Sequence, residues 1–584
     1  MAEEAIRRAL SALADGASYK LAFESLLVDV SERRSEELML LHNESRGAWV
    51  PLLSTRVGRA LFVGHPLSGG ITPLASSDLD VTVCFPDFDW LRFGRARGAD
   101  QLPAEVRAVA ADPRKRLPFQ EHSFDLVVVE ACHVDVPRNW RAFIDELARV
   151  AKGEVVLLVD NRLAYKHSKG RRGEYDVPHP LRFVARGIAP DRGQLTLRGY
   201  RRALNRHFEQ TGAFALYPDA RDFSHVVGLD SDRPRLTIGP RERGNRIKLL
   251  AKRCGLFPLL TPSFAVLAGK QRAQPRIESV LRELAERLGE PCPNLEMLVA
   301  TRSNCAVMHT EIRGASNDEP EGRWTLHLPL NPKKQGMLEH HFATLKWVTE
   351  EFPGVPVPTP LFAGEVDGVW LTCERRLAGL SFPHLTGNKE ATRRTFLDVV
   401  NQFSKAVVEP RARIEGELYE QLIGRRFRVV RDKARVPATV DRLRRMEDEV
   451  KERILGKEMP LVLYHADMRS KHIQVTEEGQ VLGYLDWGTS ERAFLPYVDV
   501  MHMVTHQRKH EGGGLVGEPW RILRERAELA DHELEAIERY LGNVGLDEDS
   551  RSALELMLPV LVAGMAELNW DYSRPLWVHR QFGL

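Results

Sequence analysis

The chain has 584 residues, too many for one hydrophobic core, so two or more domains are expected. It is 43% hydrophobic and 28% charged, as in ordinary globular proteins, and its formal charge of +2 supplies no field that would draw it to nucleic acid or an anionic membrane. Six cysteines without a C-x-x-C pair argue against a zinc site or disulfide framework and fit a reducing cytoplasm.

Residues 1–56 read as helical: Ile6, Leu10, Leu13 and Ala14 share one face, and Phe23, Leu26, Leu27 and Val30 another. The N-terminus is charged and has no signal-peptide hydrophobic region. From Val57 short apolar runs alternate with charged segments: 60–63, 79–85, 124–129 and 154–159. Trp140, Phe143, Ile144, Leu147 and Val150 place an amphipathic helix between the last two. Apolar runs alternating with helices predict an α/β fold, a parallel sheet covered on both faces. Pro and Gly cluster at 255–275, and a boundary is expected there, with a first domain at 57–272. Beyond it a helix (277–288), strands (297–300, 305–312, 323–328), a helix (338–351) and strands (361–366, 369–373) precede a mostly helical remainder from Glu390. A small β lobe at 273–388 and a helical lobe at 389–584 are predicted. The apolar run 556–565 is shorter than the roughly 20 residues that cross a bilayer, so no membrane span and a cytoplasmic location are expected.

Two segments carry chemistry. In Leu461-Val-Leu-Tyr-His465-Ala-Asp467-Met-Arg-Ser-Lys-His472 an apolar strand delivers a short polar loop, and Leu485-Asp486-Trp487-Gly488 places a second carboxylate at a strand end. Phosphoryl transfer needs such a pair, one carboxylate beside the attacking hydroxyl and one holding a divalent ion. These residues resemble the H-G-D-x-x-x-x-N and I-D-[FW]-[GE] segments of aminoglycoside phosphotransferases and related small-molecule kinases. The resemblance covers roughly 277–584 and implies a two-lobed kinase-like α+β fold, with Asp467 and His465 in the catalytic loop. Asp486 and His472 would be at the metal, and Asp499 would be a later structural Asp. It implies ATP with Mg²⁺, and nucleotide contacts at Ser303, Asn304, His327, His341 and Glu374. His472 stands where the family has Asn, His327 where it has a cation, and His341 near its helix Glu.

In the first domain, Asp112 followed by Leu117-Pro118-Phe119 and Ser123-Phe124-Asp125 resembles a Rossmann-like S-adenosylmethionine-dependent methyltransferase over about 57–270. The resemblance implies methyl-donor contacts at Asp112 and at Gly64, Gly69 and Gly70 of the turn Gly64-His-Pro-Leu-Ser-Gly69-Gly70. Pro66 departs from the family's G-x-G, and Cys84 and Phe85 fall where an acidic residue should bind ribose. The leading expectation is a phosphotransferase acting on a hydroxyl of a small molecule, sugar or peptide product. The rivals are a pseudokinase and pseudo-methyltransferase acting as scaffold or regulatory subunit, and a methyltransferase regulated by a pseudokinase; a protein partner or homo-oligomer is expected beside the acceptor.

Overall fold

The computed structural model describes residues 2–55, 57–101, 105–137, 139–164, 194–229, 256–270, 276–301, 305–312, 323–385, 387–434, 436–508, 514–569, 578 and 581–582. The chain packs as two compact units, Met1–Gln335 with Gly364–Leu371, and Gly336–Ala363 with Thr372–Leu584.

The first unit opens with the expected helices, Ala2–Ala14, Tyr19–Asp29 and Glu32–His42. Ser18 and Ser31 cap the second and third, each side chain accepting a backbone N–H three residues on. The strands are β1 (Val57–Val63), β2 (Asp78–Phe85), β3 (Arg107–Ala110), β4 (Phe124–Glu130), β5 (Ala151–Asp160), β6 (Gln210–Tyr217), β7 (His225–Gly228), β8 (Ser263–Gly269), β9 (Asn294–Ala300), β10 (Cys305–Glu311) and β11 (Trp324–Pro329). They form one mixed sheet in the order β11-β10-β9-β7-β6-β8-β5-β4-β1-β2-β3. β1 to β5 are parallel neighbours, because helices such as Trp140–Val150 cross between them. Val127, Val128 and Val129 of β4 are wholly buried, as continuous β-branched runs in doubly covered strands should be. From β8 onward the sheet is antiparallel. The chain lays β2 and β3 on one side of β1, then β4 and β5 on the other. The order therefore reverses between β1 and β4, and the crevice outside their carboxyl ends is where such sheets take ligands.

β7 also pairs with β9, Val226 opposite Leu298, so β9, β10 and β11 extend the first unit's sheet. The sequence reading places these strands at the start of the kinase-like region. β12 (Pro360–Val366) and β13 (Val369–Arg375) are joined by Asp367-Gly368, both left-handed at φ 47° and 68°. Asp-Gly is the pair a two-residue hairpin of this hand prefers.

The second unit carries two small sheets. One is β14 (Leu380–Ser381), β17 (Ile473–Val475) and β18 (Val481–Tyr484), in the order β14-β17-β18. The other is β15 (Val407–Arg413), β16 (Glu458–Tyr464) and β19 (Glu491–Phe494), in the order β15-β16-β19. Around them lie helices that include Lys389–Phe403, Pro437–Ile454, Val498–Gln507, Asp531–Val544 and Glu548–Asn569. The layout is α+β. Sequence reading missed β15, whose Val-Val-Glu-Pro-Arg-Ala-Arg is largely exposed and lacks an apolar period. The unit's core joins Phe396, Phe403, Leu463, Tyr484, Trp487 and Phe494. Both polar segments noted in the sequence sit against this core.

Candidate active site

β16 alternates buried Met459, Leu461 and Leu463 against the core, and ends by delivering His465-Ala466-Asp467. The first turn of the helix Val498–Gln507 braces this loop. Asp499 accepts the backbone N–H of His465 at 2.8 Å and of Ala466 at 3.1 Å. His465 Nδ1 accepts the Asp467 N–H at 3.3 Å, so its proton lies on Nε2, which donates to Leu485 O at 2.9 Å. His465 thus ties the loop to the segment bearing Asp486, and Trp487 closes on its ring at 4.5 Å. Ala466 is left-handed at φ 67° and wholly buried, a conformation that costs a non-glycine residue roughly 1–2 kcal/mol and persists because its surroundings enforce it. Asp486 is left-handed too, at φ 68°, which a short polar side chain tolerates better.

Asp467 is 5% exposed, and its Oδ2 is ion-paired with Arg469. His472 Nδ1 stands 3.0 Å from Asp467 O and 3.6 Å from its Oδ2. His472 Nε2 stands 3.5 Å from Asp486 Oδ2, on a carboxylate whose side chain is 48% exposed. One ligand atom from each of Asp467, His472 and Asp486 lies within 4.8 Å of the others. The fold therefore converges two carboxylates and one imidazole, a donor set that suits a divalent ion. Desolvation raises the Asp486 pKa, but His472, Arg469, Lys471 and His341 facing it outweigh that and hold the carboxyl below the usual range. Burial drives His472 down to about 4, so its ring is neutral at pH 7.

His341, on the helix Gln335–Glu351, and Glu374, on β13, are both buried and meet at 2.8 Å between Nε2 and Oε2. His341 Nδ1 accepts the Trp487 N–H at 3.1 Å, so Nε2 is the atom that donates to Glu374. Helix and strand are thereby locked to the Asp486 segment. His327 lies on β11 of the first unit, opposite Val307. Ser303 and Asn304 lie outside the described residues. Arg469 escaped the sequence reading. The available signal was a cation two residues beyond Asp467, close enough along an extended loop to reach the carboxylate.

The braced loop also predicts acid sensitivity. Burial lowers His465 and His472 to about 4 and His502 to about 3, and raises Asp499 to about 7. Between about pH 6.5 and 4 the unfolded chain binds protons on these histidines and the folded unit does not, so stability is lost as pH falls through that window. Asp499 acts oppositely, since its folded form holds a proton up to about 7, but it is one group against three. Urea midpoints of the second unit should therefore drop from pH 7.5 to pH 5. A rise would contradict the burial of neutral rings.

In the first unit, the turn after β1 packs against the chain itself. Gly69 N–H donates to Leu41 O at 2.8 Å, and a Cβ on Gly69 would meet Asn43 O at 1.9 Å. A Cβ on Gly64 would meet the Phe62 ring at 2.7 Å, and one on Gly70 would meet Glu130 Oε1 at 3.2 Å. Arg97, 2% exposed, pins the turn by donating to Leu67 O and Ser68 O at 3.2 Å and to Thr72 Oγ1 at 2.7 Å. Arg46, 3% exposed, lies across the crevice, 3.3 Å from Glu130 Oε1 at the end of β4. At the end of β2, burial pushes the Cys84 thiol up to about 12, and Phe85 and Trp90 pack on His65 at 5.0 and 4.8 Å. Asp112 spends its carboxylate on Arg114, accepting Nε at 2.9 Å and Nη2 at 3.0 Å. These three glycines and Asp112, as held, do not fit a nucleoside-bearing methyl donor. At Gly69 the close approach is taken by the chain's own Asn43 backbone, and a thiol and a phenyl ring replace the acceptor a ribose needs.

A family model described as a methyltransferase domain matches residues 68–159. No curated protein matches the chain. Among solved structures, it is similar to an aminoglycoside-3′-phosphotransferase of type VIII, at 14% identity and TM-score 0.31, covering 48% of this chain and 97% of that one. It is similar to the aminoglycoside phosphotransferase APH(3″)-Id from Streptomyces rimosus, solved with ADP and streptomycin, at 15% identity, TM-score 0.31 and the same coverages, 48% and 97%. It is also similar to the YcgJ protein of Bacillus subtilis, at 13% identity and TM-score 0.22, covering 39% of this chain and 99% of that one.

Proposed function

We propose that the second unit is an ATP-dependent phosphotransferase whose acceptor is a hydroxyl of a small molecule, sugar or peptide product. The reading rests on one observation, the convergence of Asp467, His472 and Asp486 beneath a loop held by Asp499 and His465. In the reaction the acceptor oxygen forms a bond to the γ-phosphorus, the bond from that phosphorus to the β–γ bridging oxygen breaks, and ADP leaves with the electron pair. Asp467 takes the hydroxyl proton. Arg469, paired with Asp467 in the resting site, turns its charge to the transferred phosphoryl oxygens and so frees the base. Asp486 and His472 would hold a divalent ion, which when bound neutralises charge on the phosphates. The helix–strand pair His341–Glu374 positions the Asp486 segment.

A second reading, a pseudokinase scaffold, is favoured by the same Arg469–Asp467 ion pair, which occupies the carboxylate in the resting site. A thermal-shift titration of the full chain with ATP and a divalent ion separates the two. The phosphotransferase reading expects about 2.7 kcal/mol of stabilisation at a hundredfold excess over Kd, seen as a higher melting temperature. No shift at millimolar nucleotide with either Mg²⁺ or Mn²⁺ leaves the scaffold. For the first unit, we infer a supporting role without methyl transfer, because the Asn43 backbone packs on Gly69, and Cys84 and Phe85 stand where a ribose needs an acceptor.

A further inference from the structure

The brace that Asp499 lends the catalytic loop is itself held from a distance. Among the described residues seven other than glycine have left-handed backbone, and three of them, Ala466, Asp486 and Tyr497, belong to the segments that build the candidate site. Tyr497, at φ 73°, is the bulkiest of the three, and a bulky side chain is rarely found in this conformation because its Cβ crowds the following carbonyl. It stands immediately before the helix Val498–Gln507, two residues before Asp499, and so sets the direction in which that helix starts. Its side chain makes no cap bond to the helix and is used elsewhere. The Tyr497 N–H donates to the Tyr540 hydroxyl at 3.1 Å, and the Tyr497 hydroxyl donates to Glu555 Oε1 at 3.2 Å. Tyr497 is 1% exposed and Glu555 3%. Glu555 is fixed in turn, since Arg526 Nη2 donates to the same oxygen at 3.5 Å and Trp520 Nε1 donates to its backbone carbonyl at 2.7 Å. A buried hydroxyl on a buried carboxylate has no water to take over the bond, so breaking it is costly.

The contacts form one line. Helices Asp531–Val544 and Glu548–Asn569 hold Tyr497 through Tyr540 and Glu555, and Tyr497 sets the first turn of the helix that carries Asp499. Asp499 accepts the His465 and Ala466 N–H groups, and the next residue along is Asp467. A strained residue persists only where its surroundings over-determine it. Released from either partner, Tyr497 gains by leaving the left-handed region, which swings the first helical turn and draws the Asp499 carboxylate off the two N–H groups. We propose that Tyr497 and Glu555 are positioning residues for the catalytic loop, acting through Asp499. Their effect on turnover rests on the phosphotransferase reading; their effect on the loop does not.

The test uses the full chain with Tyr497→Phe and Tyr540→Phe, each of which loses one hydroxyl and keeps its ring. Hydrogen–deuterium exchange of the peptide spanning residues 461–470 is read beside the melting temperature and ATP turnover. Exchange at the His465 and Ala466 amides should quicken about tenfold in each variant, as expected for the loss of one hydrogen bond. Turnover should fall in kcat by about tenfold, with KM for ATP within about twofold of wild type. Val450→Ala, a truncation at a wholly buried position of the helix Pro437–Ile454, is the comparison. It should lower the melting temperature at least as far and leave kcat and exchange at the two amides unchanged. Glu555→Gln keeps an oxygen for the Tyr497 hydroxyl and should exchange more slowly at these amides than Glu555→Leu. Unchanged exchange in both folded tyrosine variants, equal quickening in Val450→Ala, or Glu555→Gln exchanging as fast as Glu555→Leu overturns the proposal. Failure of the phosphotransferase reading looks different: exchange quickens as stated, but the wild type shows no ATP turnover.

Discussion

Asp467→Asn is expected to lower phosphoryl transfer by about a thousandfold or more while leaving the protein folded. The carboxylate is the proton acceptor in the proposed step, and an amide of the same shape has no basicity to replace it. Folding should survive because the loop is held by Asp499, His465 and the Asp467 backbone, none of which the substitution removes. The resting partner of Asp467, Arg469, is 15% exposed at its side chain and can turn to solvent when the charge disappears. The measurement is ATP turnover with and without candidate hydroxyl acceptors, paired with a melting curve. Asp486→Asn should lower turnover as far by a different route, through loss of divalent-ion binding. Activity within tenfold of wild type in Asp467→Asn would remove Asp467 from the reaction.

The second large effect lies in the first unit and concerns stability. Arg46 and Glu130 are 3% and 0% exposed, and the Arg46 guanidinium also donates to Ala220 O at 3.2 Å and to Arg221 O. Arg46→Ala should cost about 3–5 kcal/mol, because it leaves the Glu130 carboxylate buried without its counter-charge. Glu130→Ala should cost a similar amount by stranding the guanidinium. Removing both charges, as Arg46→Met with Glu130→Met, should cost much less than the two losses together, since apolar groups of similar volume leave nothing uncompensated. Urea denaturation of the full chain, followed on the transition belonging to the first unit, reads all three. Additive losses would show that the pair is not coupled. Calorimetric titration of the wild type with S-adenosylmethionine should give no saturable heat; a saturable isotherm would show that Asn43 and Arg46 move aside.

Much of the site was legible from short stretches of chain. His465, Asp467 and His472 lie within one loop, and Asp486 ends the next strand but one. A motif read over so few residues reports on groups that must be neighbours. The distant partners were not legible. His341 and Glu374 are separated by 33 positions, Asp499 and His465 by 34, and Arg46 and Glu130 lie farther apart still. Nothing in the local pattern of either member marks the other. The helix histidine at 341 looked like the loss of an acidic residue; in the fold it is a two-sided connector between a strand carboxylate and a backbone N–H. The turn at Gly64–Gly70 looked like a cradle for a cofactor, because glycine permits close approach by any backbone. Here the approaching backbone is Asn43 of the same chain.

By itself the sequence determined the periodicities that make the sheet and helices, the alternation that makes β1 to β5 parallel, and the carboxylates available for chemistry. Those are local properties of hydrophobic spacing and residue type, which act before any distant contact forms. The tertiary structure alone decided which polar groups are paired and which remain available: Arg469 on Asp467, Arg46 across the crevice, His472 turned toward Asp486. Burial makes these choices, because a polar group removed from water must find its partner wherever the fold brings one, and the chain order carries no record of that distance.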